Sequence, residues 1–501
     1  MLFNSPLFLF VFLPFALLGF VFFGRSGRRS AIGWLAFVSI LFYTDWKPSF
    51  VLVLLGSMLG NYAISRLITA SRNNPRAQSF WLIAGIAANL GALGYFKYLF
   101  PLLNFLRDVG VTHRDWGSVA LPLGISFFTF TQLGYLIDLK QGEAQPQTLT
   151  SYALFVTFFP HLIAGPILHH KEIMPQFAEE RRYGIHRDDF TLGLTWFILG
   201  LFKKVMIADM IAPYANSVFA APAQQSVATA WIGALTYMLE LYFDFSGYSD
   251  MAIGLARMFS IRFPLNFNSP YKAASMIDFW ARWHMTLTRY ITLYLYTPIA
   301  LSVNRARIAA GKKASRQAAR TANGFLEMIA WPTLVTMFLA GVWHGAGLQF
   351  LIFGLIFGIT MTLEHAWNLM RPPRQESPGS PLKILSVLRV NLIALVAFVF
   401  FRSSSTHAAL LLLRAMAGFG SGVHLAPQPA SLLAFLLLPV IWFLPNTQQI
   451  LGEPGISNAS VAANQRALFK PTPAWALIMG LALFLSLVNL NSSSTFLYFQ
   501  F

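Results

Sequence analysis

The sequence predicts an all-α fold, a polytopic transmembrane helical bundle of about 10 to 13 spans. Three observations predict it. Of the 501 residues, 56% are hydrophobic and only 11% are charged, where soluble domains carry about 25% charged residues. Apolar runs long enough for a hydrocarbon core of about 30 Å recur from one end of the chain to the other. The runs are continuous, unlike the alternating segments of about 10 residues that build a membrane β-barrel.

In order, the apolar runs fall near 6–23, 31–44, 48–68, 79–101, 119–139, 150–168, 190–212, 228–257, 326–343, 347–370, 385–402, 407–417, 431–445 and 474–490. The first begins without a basic stretch and is followed by Arg25, Arg28 and Arg29, the mark of a retained first helix rather than a cleaved leader. Arg66, Arg72 and Arg76 follow the third run, whereas Asp45 and the weakly charged 107–115 loop follow the second and fourth. This alternation is the positive-inside pattern, with the N-terminus outside and the basic loops in the cytoplasm. The net charge of +17 is therefore read as topology. No recognition motif accompanies it, so no nucleic-acid partner is expected. The chain has no cysteine, which excludes disulfides and a thiol nucleophile on this chain.

The region 260–325 departs from the spanning pattern. Between Tyr271 and Thr297, Ile277, Trp280, Trp283, His284, Leu287, Ile291 and Tyr294 recur at helical spacing, interrupted by Asp278, Arg282 and Arg289. That mixture predicts an interfacial or re-entrant helix packed against protein. The basic stretch Asn304 to Arg320 reads as a mobile cytoplasmic loop able to touch anionic membrane lipids. Residues 371–383 and 446–473 read as connecting loops. The whole chain, 1–501, reads as one integral-membrane domain: N-terminal helices over 1–140, a core over 150–370, and C-terminal helices over 385–501.

Polar groups written into apolar surroundings are the candidates for chemistry. His344, in Gly341-Val342-Trp343-His344-Gly345, lies in a nearly unbroken apolar run from Phe325 to Leu363. An ionisable group there points to function by default. The bland alternative is a helix-packing GxxxG spacing, Gly341 to Gly345, whose histidine merely bonds a neighbour. Glu240 and Asp244 lie four residues apart on one helical face and Asp250 lies beyond them. No Lys or Arg occurs between Lys204 and Arg257, so these acids need partners from other segments. They either line a polar cavity or hold helices together. Asp278-Phe279-Trp280-Ala281-Arg282-Trp283-His284 suits a planar or phosphate-bearing ligand, or equally an aromatic belt with a snorkelling arginine. His161, His169 and His170 raise the question of a metal. No HExxH or carboxylate-rich run accompanies them, and Glu364-His365 lacks a second histidine, so no metal is expected. There is no G-x-S-x-G, Walker A or GxGxxG motif.

In sequence order, Phe159-Pro160-His161-Leu162-Ile163-Ala164-Gly165-Pro166, Asp244-Phe245-Ser246-Gly247-Tyr248-Ser249-Asp250, Phe279-Trp280-Ala281-Arg282-Trp283-His284 and Gly341-Val342-Trp343-His344-Gly345-Ala346 resemble the membrane-bound O-acyltransferase family. The resemblance is to its bacterial branch containing the membrane subunit of alginate O-acetyltransferases. Met1 to Pro6, Gly94 to Tyr98, Pro122 to Phe128, Leu444 to Gln449 and Tyr498 to Phe501 are also similar to that branch.

The resemblance implies helices arranged around a central tunnel, with the family's characteristic histidine matched by His344 and a second by His284. It assigns His344 as general base or transient acyl relay and His284 as the group that positions or polarises the donor. Trp343, Trp283 and Arg282 would wall the tunnel, and Asp244 and Asp250 would support it. It further implies a bacterial inner-membrane location and no tightly bound cofactor. Acetyl-CoA is the expected thioester donor, and periplasmic acetyltransferase proteins of a polysaccharide export system are the expected partners. Alternatives are D-alanyl transfer to a cell-envelope polymer, a transporter or flippase, or a membrane scaffold. Two departures from the branch fall beside His284. Ala281 stands where an arginine is usual, and Thr288 to Arg305 lacks the usual Arg-Asp pair and glycine-rich loop.

Overall fold

The computed structural model describes residues 1–179, 183–371, 380–420, 422, 429–452, 468–490 and 496–497. Arg181, Arg182, Arg374, most of the expected 371–383 and 446–473 loops, and the matched terminus 498–501 lie outside the described residues. Among those described, every regular element is helical. Six helices are long and apolar enough to cross a membrane: α3 Pro48–Ala70, α4 Pro75–Asp108, α9 Arg187–Ala220, α13 Ala322–His344, α14 Leu348–Met370 and α15 Pro381–Arg402. The shorter apolar helices α1 Phe8–Gly24, α16 Thr406–Phe419 and α19 Pro473–Val488, with α17 Pro429–Phe443, α2 Arg28–Thr44, α5 Ile125–Gln141 and the 32-residue α10 Val227–Met258, follow the other runs except 150–168. Several starts are written locally. Asn74, Ser380 and Thr472 each accept a backbone N–H in the first turn, and each is followed by a proline at the first helical position.

The chain forms two compact units. The first comprises Met1–Met206, Phe245–Leu265 and the described part of 447–500. In it α9 and α10 approach along two glycine pairs, and a methyl group on Gly193 or Gly200 would come within 2.6 Å of the Gly254 or Gly247 carbonyl. Small residues at that seam let two backbones meet, the packing a bilayer favours. Asn61 of α3 and Asn89 of α4 exchange amide hydrogen bonds of 3.1 and 2.6 Å. Asp250 meets Lys203 Nζ at 2.6 Å and Thr447 Oγ1 at 2.7 Å. The second unit comprises Ile207–Asp244 and Asn266–Asn446. Its core is the α13–α14 hairpin with α15 laid against it, over which the 266–309 segment is folded.

Three expectations are corrected. The run 150–168 is not a single span. The α6 helix Leu149–Thr157 stops where Pro160 approaches, and α7 Phe159–Leu162 adds only one turn. Nine residues reach about 14 Å, half the hydrocarbon thickness. Tyr271 to Thr297 is not one helix either. It contains α11 Met276–Trp280, a break over 281–284, and α12, which begins at Met285 and continues to Ala309. The Asn304–Arg320 stretch begins as the end of α12, where Arg307 is buried, bonded to Glu327 and to the Lys313 carbonyl.

Candidate active site

His344 closes α13. The helix ends there because Gly345 adopts extended backbone, φ −172° and ψ 168°, and three residues later α14 starts back. The apolar run of Phe325 to Leu363 is thus two helices with the histidine at their corner. His344 is 6% exposed, and what buries it is aromatic: Trp343 at 4.8 Å, Phe401 at 5.1 Å and Phe353 at 5.4 Å between ring centres. Phe353 and Phe401 meet it nearly edge-on, at 86° and 81°. The glycines serve packing. A methyl on Gly341 would lie 2.4 Å from the Phe350 carbonyl and 3.2 Å from Gly354, and one on Gly345 would strike the Phe350 ring. The packing and the functional readings of this motif therefore hold together: Gly341 and Gly345 bring α14 in, and α14 brings Phe353 to His344.

The aromatic layer continues to the second histidine motif. Phe353 stacks with Phe398 at 6.3 Å, and Phe398 lies 5.2 Å from Trp283. Trp283 is itself stacked on Phe279 at 5.8 Å and 11° and abuts Phe267 and Tyr271. Two phenylalanine rings, from α14 and α15, thus connect His344 to Trp283, and His284 is the next residue.

His284 owes its position to Asn266, which the sequence analysis did not select. The residue adopts left-handed backbone, φ 44° and ψ 52°, which costs a non-glycine residue about 1 kcal/mol or more. The surroundings over-determine it. Met285 N–H donates to the Asn266 carbonyl and Asn268 N–H to the Arg282 carbonyl, both at 2.9 Å. Asn266 Oδ1 then accepts from Thr286 N–H at 3.4 Å and Thr286 Oγ1 at 2.9 Å. A backbone N–H can only donate, so the amide atom there is oxygen. His284 Nδ1, 3.0 Å from the same atom, is accordingly the protonated nitrogen. Nε2 therefore carries the lone pair. With the residue 1% exposed, desolvation holds its pKa down to about 3, so the imidazole is neutral at physiological pH.

Of the remaining candidates, Arg282 pairs with Asp278 at 2.7 Å, with both side chains about a third exposed. This keeps the guanidinium at the rim of the His284 segment. Asp244 is 1% exposed on α10. Together with Glu240 and Arg402 it lies within electrostatic reach of Tyr237. Arg402 also sits 5.9 Å from the Tyr237 ring. Arg402 of α15, the neighbour of Phe401, thus reaches the same tyrosine as the two acids. Asp250 is not part of this cluster and is engaged by Lys203 and Thr447. Glu364, set aside in the sequence for want of a second histidine, has a different role. It accepts from Met276 N–H at 2.7 Å and Ile277 N–H at 3.1 Å and pairs with Arg389 at 3.0 Å, fixing the start of α11. The polar Asn266-Phe267-Asn268 run amid apolar residues was the signal available for Asn266. A cavity of about 300 Å³ lined by Trp231, Met238, Asn391, Leu395, Phe435 and Trp442 contains none of the expected residues. Its wall touches the site indirectly, since Asn391 donates to the Tyr271 carbonyl at 3.0 Å.

A buried histidine at a helix corner, an aromatic layer and a second buried histidine on a strained turn form a site closed to water. The chain belongs to the membrane-bound O-acyltransferase family, whose description matches residues 126–310. Within it, the chain is 35% identical to the peptidoglycan O-acetyltransferase of Helicobacter pylori over 100% of this chain and 98% of that one. It is 38% identical to the probable alginate O-acetylase AlgI of Pseudomonas aeruginosa over 84% of this chain and 76% of that one. The teichoic acid D-alanyltransferase of Streptococcus thermophilus is 25% identical over 54% of this chain and 63% of its own. The protein is accordingly a membrane O-acyltransferase of the AlgI-like branch. His284 lies inside the 126–310 match and His344 beyond it.

Proposed function

We propose that this enzyme takes acetyl from a cytoplasmic thioester, acetyl-CoA, and passes it across the bacterial inner membrane for O-acetylation of an exported polysaccharide. The observation that carries the proposal is similarity along nearly the whole chain to proteins named for acetylating two different glycans, peptidoglycan and alginate. The D-alanyltransferase relative covers only about half of the chain, which makes D-alanyl transfer the second reading. In the proposed reaction His344 takes the proton of the attacking hydroxyl as its oxygen bonds the acetyl carbon. The carbon–sulfur bond breaks, and the proton passes to the departing thiolate. The edges of Phe353 and Phe401 exclude water beside the imidazole. His284 Nε2 accepts one hydrogen bond from the donor, and Trp343 and Trp283 wall its path. Arg282 at the rim suits a donor phosphate. Asp244 and Asp250 support the helices. The acceptor is presented by periplasmic acetyltransferase partners, and the N-terminus lies outside.

The test is the acetyl content of exported polysaccharide from cells whose only copy is His344→Ala. Loss of acetylation with the protein present in the membrane is the expected result. Near-normal acetyl content removes His344 from the mechanism.

A further inference from the structure

Away from the His284–His344 layer, three metal-ligating side chains converge in the first unit. Asp138 lies near the end of α5 Ile125–Gln141, and His169 and His170 cap and open α8 His170–Ala178. Asp138 Oδ2 lies 2.8 Å from His170 Nε2 and 3.0 Å from His169 Nε2. The two imidazoles lie 4.6 Å apart, and the ligand atoms of all three residues fall within 4.8 Å of one another. Asp138 and His170 are 7% and 5% exposed. Lys171, the cation beside them, is paired with Glu143. The sequence concealed this grouping because the carboxylate stands 32 positions before His170.

We propose that Asp138, His169 and His170 form a binding site for one first-row divalent ion of the Zn²⁺ and Co²⁺ type, which clips α5 to α8. Two imidazole nitrogens and one carboxylate oxygen are a borderline donor set, suited to these ions rather than to Mg²⁺ or Ca²⁺. The observed N···O separations of 2.8 and 3.0 Å are those of neighbouring ligands on an ion bound at about 2.0–2.2 Å, after adjustments of a few tenths of an ångström. Lys171 N–H donates to His169 Nδ1 at 3.3 Å, so Nε2 carries the proton directed at Asp138. On binding, the ion replaces the Nε2 proton of each histidine, which moves to that ring's Nδ1, and the Lys171 bond to His169 is given up. The ion thereby ties together two helices separated in sequence by residues 142–169, of which 163–169 form no regular element.

The experiment uses the untagged full-length protein in detergent, stripped with a chelator and titrated with Co²⁺ and then Zn²⁺. The expected result is one ion per chain, visible Co²⁺ d–d absorption that Zn²⁺ displaces, and a raised unfolding temperature. His169→Gln, at the most exposed of the three positions, should weaken binding by more than the roughly 10- to 100-fold that loss of an outer partner costs. Asp138→Asn keeps the shape of the side chain and should abolish the Co²⁺ signal. Absence of stoichiometric binding by the wild-type chain overturns the proposal and leaves a hydrogen-bonded triad. Binding unchanged in both variants overturns it too, since the ion then sits elsewhere.

Discussion

At the residue scale, Asn266 governs what His284 can do. One amide oxygen collects Nδ1–H, the Thr286 hydroxyl and the Thr286 N–H, so the imidazole is fixed in one tautomer with Nε2 free of its proton. Asn266→Ala takes this acceptor from three buried donors, at a cost of about 1–3 kcal/mol for each one left unsatisfied, and releases the tautomer. Transfer activity should fall about 10- to 100-fold, the usual effect of losing an orienting partner. Asn266→Asp should act through pH instead. A carboxylate against Nδ1 favours the imidazolium, so activity should acquire an inflection between pH 5 and 8 that the wild type lacks. The linkage has a definite sign. In the folded protein His284 protonates near pH 3, and in the unfolded chain near 6.5. Over that window the unfolded chain binds the extra proton, so acidification from pH 6.5 towards 3 lowers stability, and stability recovers as pH rises. Unfolding temperatures measured across this range should fall less steeply for His284→Gln than for the wild type. His344 could be found in the sequence because an ionisable residue in an apolar run is conspicuous. Asn266 showed only as a polar residue amid apolar ones, because its role depends on a pairing with residues 282–286 that the backbone creates and no periodicity records.

At the element scale, the α13–α14 hairpin sets the His344 cage. Gly341 and Gly354 face each other so closely that added methyls would meet backbone atoms at 2.4 and 2.3 Å. Gly341→Ala should therefore push α14 away, at a cost of about 1–3 kcal/mol, and draw Phe353 off the imidazole. Gly56→Ala is the control, since nothing lies within 4 Å of the new methyl. Thermal unfolding and transfer rate should both drop in the first variant and in neither respect in the second. Most helices were legible as apolar runs because a hydrocarbon solvent forces backbone groups to bond within the segment. The failures have a common physical origin. At 150–168 a proline interrupts an otherwise suitable run, and at 281–284 tertiary backbone pairing overrides a helical side-chain period. Packing against Glu327 likewise makes helix of the first residues of an expected loop.

At the scale of the whole molecule, the charge of +17 in a chain that is 56% hydrophobic carries the proposed orientation, with the N-terminus outside. A reporter fused to the N-terminus should be active outside the cytoplasm, and one placed after Ala309 should be active only inside. The reverse pair of results would invert the proposed direction of acetyl movement. The fold class and the family were legible from apolar runs and ordered motifs spread over the chain. The Asp138–His169–His170 grouping and the approach of Arg402 to Tyr237 were not, because each joins residues far apart in sequence. The central claim is that His344 performs the transfer chemistry in an acyltransferase that uses acetyl-CoA. The most direct test reconstitutes the purified chain in vesicles with labelled acetyl-CoA and a glycan acceptor and compares wild type with His344→Ala. The account predicts that labelled glycan falls about 10²- to 10⁴-fold in the variant, with its unfolding temperature unchanged. Transfer within a factor of about two of wild type in His344→Ala, well below even tenfold, would contradict it.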